Sequence, residues 1–234
     1  MEKYLLILIS AILSPFTESF FKQLEKNKTV NQTVNLYPNK TFVKIRFWDA
    51  PFIEVEKIIP KTGRILDLGC GEGIFTNFLA LSSNKRKIIG LEIDKDRIKQ
   101  ADWGIKNVSF KYANVTKHNF PKSDCIILFH LLHHLSSYSD QEKVLEKCSR
   151  ELSKGGKLII VEVEPELSYK YLLAYLTDHF IVPWIFERRF FTPAFFRDSQ
   201  KWIWLVERLG FSCTMVNVSK DKPFSHRVFI CSKK

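Results

Sequence analysis

The sequence is short of the features that mark several broad classes of protein. It has no C-x-x-C pair, and its five cysteines are an odd number without paired spacing, so neither a disulfide scaffold nor a cysteine-based metal site is expected. His133 and His134 are adjacent rather than one helical turn apart, which also argues against a structural metal. Cys70, Cys125, Cys148, Cys213 and Cys231 therefore read as reduced thiols of a cytosolic protein. There is no internal repeat and no low-complexity tract. No apolar run approaches the roughly twenty residues that a helix needs to cross a bilayer. The longest, Tyr4-Leu-Leu-Ile-Leu-Ile-Ser-Ala-Ile-Leu13, is too short to span and lacks the flanks of a signal peptide, because Met1-Glu-Lys3 is weakly basic and no small-x-small cleavage site follows.

Acidic residues are in deficit: 25 Asp and Glu face 36 Lys and Arg, a formal net charge of +11. The basic residues are scattered, at Lys22, Lys26 and Lys28, at Lys85, Arg86 and Lys87, at Arg188 and Arg189, and at Lys233 and Lys234. Such a distribution is compatible with a solvated surface, an anionic membrane surface or nucleic acid. Phe16, Phe20, Phe21 and Leu24 recur at near-helical spacing with lysines on other faces, as in a helix lying in a membrane interface or docked on the fold. At 234 residues the chain has room for one full core. The expected organisation is an apolar and amphipathic helical extension over 1–44, then a domain over 45–234 with an aromatic-rich insert at about 164–197.

Arg64-Ile-Leu-Asp-Leu-Gly-Cys-Gly-Glu-Gly73 reads as a buried strand, a tight glycine loop and the start of a helix. Lys87-Ile-Ile-Gly-Leu-Glu-Ile-Asp94 reads as a second buried strand ending in carboxylates. Gly69, Gly71 and Gly73 stand at alternate positions, where missing side chains let a flat polar ligand lie against the backbone. A dinucleotide loop would need G-x-G-x-x-G/A, and here the third glycine comes one residue early. Asp67 would also repel a pyrophosphate, whereas it can pair with a ligand ammonium group.

These two stretches resemble motif I and the following acidic strand of the class I S-adenosylmethionine-dependent methyltransferases. The resemblance continues through Asn107 to Asn114 as a third strand, Asp124 to His130 as a fourth, a polar helix near Asp140 to Leu152, a turn at Ser153-Lys-Gly-Gly156, and the apolar run Lys157 to Val163. A helix over Ser199 to Leu209 and strands over Phe211 to Val218 and His226 to Ser232 complete it. It covers roughly residues 45 to 234 and implies an α/β, Rossmann-like, doubly wound seven-stranded sheet, mostly parallel, with a C-terminal antiparallel hairpin and helices on both faces. By the same resemblance S-adenosylmethionine is the cofactor. Gly69, Cys70, Gly71 and Gly73 line it, Asp67 helps hold its methionine end, Glu92 accepts from the ribose hydroxyls with Ile93 alongside, and Asn114 and Val115 lie at the adenine. Asn114 departs from the pattern, since many relatives carry aspartate there. Its amide oxygen is still able to accept a hydrogen bond from the adenine amino group.

Aligning an electrophilic methyl with an acceptor supplies most of the acceleration in this chemistry, and a base is needed only where the acceptor must lose a proton. His130, His133 and His134 stand just after the fourth strand, at the carboxyl edge of the sheet, and His134 is the residue assigned as the candidate base. The insert carries Tyr169, Tyr171, Tyr175, Phe180, Trp184, Phe186, Phe190, Phe191, Phe195 and Phe196, which suggests a large apolar acceptor unless these rings only pack over the sheet edge. The expected substrate is a small-molecule or lipid-like methyl acceptor, handled in the cytoplasm or at the membrane periphery. RNA is the rival, although Phe129-His-Leu-Leu132 stands where enzymes that methylate base amino groups often have an Asn/Asp-Pro-Pro-Tyr/Phe motif. A third reading is a cofactor-binding partner subunit without turnover. Nothing in the sequence speaks to oligomeric state.

Overall fold

The structure is a computed structural model and describes residues 20, 22–166, 168–176 and 193–233. Seven strands form one sheet: β1 Gly63–Leu68, β2 Arg86–Glu92, β3 Val108–Tyr112, β4 Ser123–Phe129, β5 Leu152–Val163, β6 Phe211–Asn217 and β7 His226–Lys233. Their order is β3-β2-β1-β4-β5-β7-β6. The first five pair in parallel, and β7 runs antiparallel to both β5 and β6. This is the doubly wound sheet with the closing hairpin that the alternation of strand and helix patterns implies. The central strands are apolar on both faces because helices cover both: Ile65 to Leu68 in β1 and Cys125 to Phe129 in β4 are buried throughout.

The turn expected at Ser153 to Gly156 is absorbed into β5 as a bulge. Ser123 pairs with Leu152 and Cys125 with Lys157, so two steps along β4 match five along β5. Gly155, at φ +74°, takes the left-handed conformation that this excursion requires.

The N-terminal part is structurally continuous with the sheet domain. Helices α1 Lys28–Leu36 and α2 Lys40–Asp49 precede a short α3 Phe52–Glu56. Asn27 and Asn39 cap the first two by accepting backbone N–H groups with their side chains. Residue 45 lies inside α2, so the expected boundary falls within a helix. Val30, Val34, Val43 and Phe47 join Ile65, Phe75, Phe78 and Ile127 in one core. Phe47 is fully buried, edge-on to Phe52 at 5.4 Å and to Phe78 at 5.1 Å. Phe47→Ala should therefore cost about 3–5 kcal/mol, read as a lower urea midpoint. A loss under about 1 kcal/mol would mean that α2 is only loosely attached. The apolar segment Tyr4 to Leu13, together with Phe16 and Phe21, lies outside the described residues. Phe20 and Leu24 pack on the same core.

Not all of the basic excess is surface charge. Arg86 has no exposed side-chain surface and donates to the carbonyls of Pro60 (2.8 Å), Leu79 (2.8 Å) and Ile59 (3.1 Å), with Glu56 at 3.0 Å. Lys222 is buried as well and closes the end of α2 by donating to the carbonyls of Phe47 and Ala50, each at 2.9 Å. Among the described residues no helix is long and apolar enough to cross a membrane. No group of three or more His, Cys, Asp or Glu among them is arranged to hold a metal ion.

Candidate functional site

Between β1 and β4 the strand order reverses direction along the sequence, which is where open α/β sheets bind ligands beyond their carboxyl ends. The glycine loop leaves β1 at this point and runs into α4 Ile74–Ser82, whose N-cap is Gly73 at φ +73°. The loop is tied to β2 along its length. The N–H groups of Gly69 and Cys70 donate to the Leu91 carbonyl at 2.8 and 3.0 Å, and the Gly71 N–H donates to Glu92 Oε2 at 2.8 Å.

The three glycines serve different purposes. A Cβ on Gly69 would lie 2.6 Å from Leu131 Cδ1, and one on Gly73 would lie 2.8 Å from Ala101 Cβ and 2.9 Å from Phe110. Both are needed for close packing of the protein on itself. A Cβ on Gly71 would meet no protein atom within 4 Å, so this is the position that opens toward ligand space. Cys70 turns its thiol onto β2, where it would lie 2.8 Å from a Cβ on Gly90.

Glu92 ends β2 almost buried. Besides the Gly71 contact, its Oε1 accepts from the N–H groups of Ile93 (2.7 Å) and Asp94 (2.9 Å). A carboxylate offers about four acceptor positions, so one remains for a ligand hydroxyl while the loop stays clamped. Ile93, just beyond, is 55% exposed and offers an apolar surface at the mouth.

Asp67 is 2% exposed and accepts from Thr76 Oγ1 at 2.5 Å. Burial raises its pKa to about 7, the Thr76 hydrogen bond opposes the rise, and the nearby Glu92 adds to it. A carboxyl held so far from its ordinary range is poised to receive a ligand cation, which would restore the ionised form. An open backbone position, a spare carboxylate acceptor and a buried carboxyl seeking positive charge together fit S-adenosylmethionine, with its ammonium, its sulfonium and its ribose.

Comparison with known proteins identifies the family. A family model described as a methyltransferase domain matches residues 41–216, more than half of the chain. The chain belongs to this methyltransferase family. Its fold is that of the class I S-adenosylmethionine-dependent methyltransferases. It is similar to the ubiquinone/menaquinone biosynthesis C-methyltransferase UbiE of Shewanella sp. (strain W3-18-1), 32% identical over 124 residues, covering 50% of this chain and 49% of that protein. It is also similar to the putative methyltransferase 235L of Invertebrate iridescent virus 6, 27% identical over 110 residues, covering 47% of this chain and 40% of that protein. The chain thus spans about half the length of these curated relatives, or less. Among solved structures, a methyltransferase from Methanosarcina mazei superposes with a TM-score of 0.58 at 18% identity, covering 77% of this chain and 96% of that one. Human N-acetylserotonin methyltransferase, in complex with S-adenosylmethionine, gives 0.62 at 16% identity, with 93% and 62% covered.

The other residues expected at the site come from distant parts of the chain. Asn114 and Val115 follow β3 as expected. Val115 is buried in the core, and Asn114 Oδ1 accepts from Thr116 N (2.9 Å) and Oγ1 (2.7 Å), so both of its lone pairs are engaged locally. An adenine amino group would have to displace Thr116 to reach it. Tyr37, between α1 and α2, donates its hydroxyl to the Glu72 carbonyl at 2.9 Å and accepts from Asn77 at 2.8 Å, bracing the glycine loop from outside. No local pattern around Tyr37 marks it for this role.

After β4 the chain makes a single 3-10 turn, Leu132–His134. His133 is buried, pairs through Nδ1 with Glu162 of β5, and stacks on Phe196 with ring centroids 4.7 Å apart. Glu162 also accepts from the Leu132 N–H at 2.9 Å, so it anchors the turn. His134 is exposed on the same turn, its ring 4.1 Å from that of His133. Of the insert, residues 164–166, 168–176 with helix α5 Tyr169–Leu176, and 193–197 are described. Phe195 donates its N–H to the His133 carbonyl at 2.7 Å, and Tyr171 meets Phe196 edge-on at 5.6 Å. Phe180, Trp184, Phe186, Arg188, Arg189, Phe190 and Phe191 lie outside the described residues. Arg46 pairs with Asp49 at 2.7 Å.

Proposed function

We propose that the protein transfers the methyl group of S-adenosylmethionine to a small-molecule or lipid-like acceptor. The observation that carries this reading is the opening at Gly71 beside Glu92 and Asp67, together with aromatic residues of the insert lying on the turn that follows β4. Bound S-adenosylmethionine supplies a sulfonium methyl that is already electrophilic. The chain's own contribution is to bind and orient: Asp67 would hold the cationic end, Gly69, Cys70, Gly71 and Gly73 would line the cofactor, Glu92 and Ile93 would receive the ribose, and Asn114 and Val115 would lie toward the adenine, Asn114 only by giving up its Thr116 contacts.

The acceptor side is apolar. Phe196 stacks on His133 and Tyr171 meets Phe196 edge-on, an aromatic lining that suits a flat or lipid-like group better than a polyanion. The +11 charge keeps a second reading, an RNA acceptor, in view. The deciding experiment incubates the protein with radiolabelled S-adenosylmethionine and, separately, a lipid extract, an aqueous metabolite fraction and total RNA. Label in the lipid or metabolite fraction supports the proposal. Label confined to RNA overturns it, and binding without label in any fraction identifies a partner subunit. Adding liposomes of anionic and neutral lipid to a flotation assay tests peripheral attachment on the same material.

His134, where a base is needed, is reachable from solvent and from the turn. A loss of turnover of about a hundredfold or more in His134→Ala, with binding of the cofactor unchanged, would assign the base to His134 rather than to another histidine near this turn. Turnover within about threefold of the parent would remove it from the mechanism.

A further inference from the structure

His130 and His226 form a partly buried contact that no feature of the cofactor site requires. His130 ends β4 with φ +49°, a left-handed backbone that a non-glycine residue adopts only when its surroundings hold it there. Its N–H donates to the Val161 carbonyl at 2.9 Å. Its ring lies parallel to that of His226 at the start of β7, with centroids 4.9 Å apart and Nε2 of His130 3.1 Å from Nδ1 of His226. Nε2 of His226 in turn lies 2.6 Å from the backbone carbonyl of Asp49.

This chain of contacts has only one consistent set of protons. A carbonyl oxygen can only accept, so Nε2 of His226 carries a hydrogen and donates it. With that ring neutral, Nδ1 of His226 bears a lone pair, and Nε2 of His130 must donate to it. Nδ1 of His130 is then left unprotonated, and it makes no hydrogen bond among the described residues. Neutrality of both rings follows from their setting. Burial lowers the pKa of His226 to about 3, against the opposing contact with the Asp49 carbonyl, with Lys222, Arg46 and Lys170 adding to the fall. Burial, then His226, Arg46, His133 and His134 push His130 well below its ordinary value. These groups come from α2, the turn after β4, α5, the β6–β7 connection and β7. They are cationic or neutral apart from Asp49, which is paired with Arg46.

We propose that Nδ1 of His130 is the hydrogen-bond acceptor that selects a methyl acceptor bearing an O–H group on a flat apolar scaffold and takes its proton during transfer, with His226 a positioning residue that fixes the tautomer. This rests on the methyltransferase reading above. Position supports it: the next residue, Leu131, fills the space against Gly69 of the cofactor loop, so His130 borders that loop. The residue is partly exposed, Phe129 meets its ring edge-on at 4.9 Å, and His133 beneath Phe196 is 6.2 Å away. A hydroxyl entering this apolar setting would find Nδ1 of His130, unpaired among the described residues, and a group without a donor would leave that acceptor desolvated. In the transfer, the acceptor oxygen forms the O–CH3 bond with its own electron pair while its proton passes to Nδ1. The C–S bond breaks with its pair remaining on sulfur. The imidazolium, strongly acidic in this environment, then releases the proton to water.

The test uses the full chain loaded with S-adenosylhomocysteine, phenol as a minimal hydroxylic probe and anisole as the control that lacks the proton. Ring nitrogen NMR of the parent should show Nδ1 of His130 unprotonated from pH 5 to 8 and should show it shifting saturably with phenol but not with anisole. His226→Leu should release the tautomer and weaken phenol binding about tenfold, and His226→Gln, whose amide can donate to Asp49 and accept from His130, should restore it. A protonated Nδ1 in the parent, or phenol and anisole acting alike, would overturn the proposal even if His226→Leu fails to fold. Failure of the parent to bind S-adenosylhomocysteine at all would instead sink the methyltransferase reading.

Discussion

Gly71→Arg should abolish binding of S-adenosylmethionine while leaving the fold intact. The two halves of that statement come from the same observation. A side chain at residue 71 meets no protein atom within 4 Å of its Cβ, so the protein can accommodate one. The cost to folding is the left-handed backbone, φ +55°, at about 1–2 kcal/mol, or a melting temperature lower by roughly 2–8 °C. The cost to binding is larger, because the arginine would occupy the space that the cofactor needs and would bring a cation toward a sulfonium. A hundredfold or greater loss, about 3 kcal/mol, is the expected scale. Calorimetric titration and thermal melting of the same preparation separate the two. Unfolding of the variant would mean that Gly71 serves packing, as Gly69 and Gly73 do, and normal binding would place the ligand elsewhere.

Asp67→Asn should make the protein more stable at pH 8 and less able to bind its cofactor. With an ordinary carboxyl value near 3.8 in the unfolded chain and about 7 in the folded one, Asp67 favours folding only while protonated. That contribution is complete below pH 3.8 and is lost as pH rises to 7, at about 1.4 kcal/mol per pH unit. Asparagine does not titrate and can still accept from Thr76, so the variant should gain on the parent by about 2–3 kcal/mol between pH 5 and pH 8. Denaturant unfolding at the two pH values reads this difference directly, and a difference independent of pH would mean that Asp67 is ionised in the folded protein. The ligand cation removes the same penalty in the parent, so affinity for S-adenosylmethionine should rise with pH up to about 7 and then level off. The variant should bind at least about tenfold more weakly and without that dependence.

The parts of the molecule that were legible in the sequence are those encoded by local pattern. The apolar runs of β1, β2, β4 and β5, the glycine loop and the acidic end of β2 each declare themselves within ten residues and lie where they were expected, although β5 itself begins earlier, at Leu152. The division of labour among the three glycines was not legible, because it depends on Leu131, Ala101 and Phe110, which reach the loop only in the folded chain. Helices α1 and α2 were missed as elements of the main core for a related reason. Polar residues alternate with Val30, Val34, Val43 and Phe47, and the apolar face makes sense only against Phe75 and Phe78. Arg86 looked like surface charge among Lys85 and Lys87, yet four carbonyl and carboxylate partners are gathered around it in the interior. Cys213 and Cys231 lie opposite each other in the β6–β7 register, a pairing that linear spacing does not signal. The contact between His130 and His226 joins residues 96 positions apart, and only the antiparallel return of β7 beside β5 brings them together.

The central claim is that the loop after β1 and the carboxylates beside it hold S-adenosylmethionine. Calorimetric titration of the purified protein with S-adenosylmethionine and S-adenosylhomocysteine tests it most directly. The account predicts one site per chain with micromolar affinity for both ligands, lost in Gly71→Arg. A well-folded parent that binds neither ligand would contradict it.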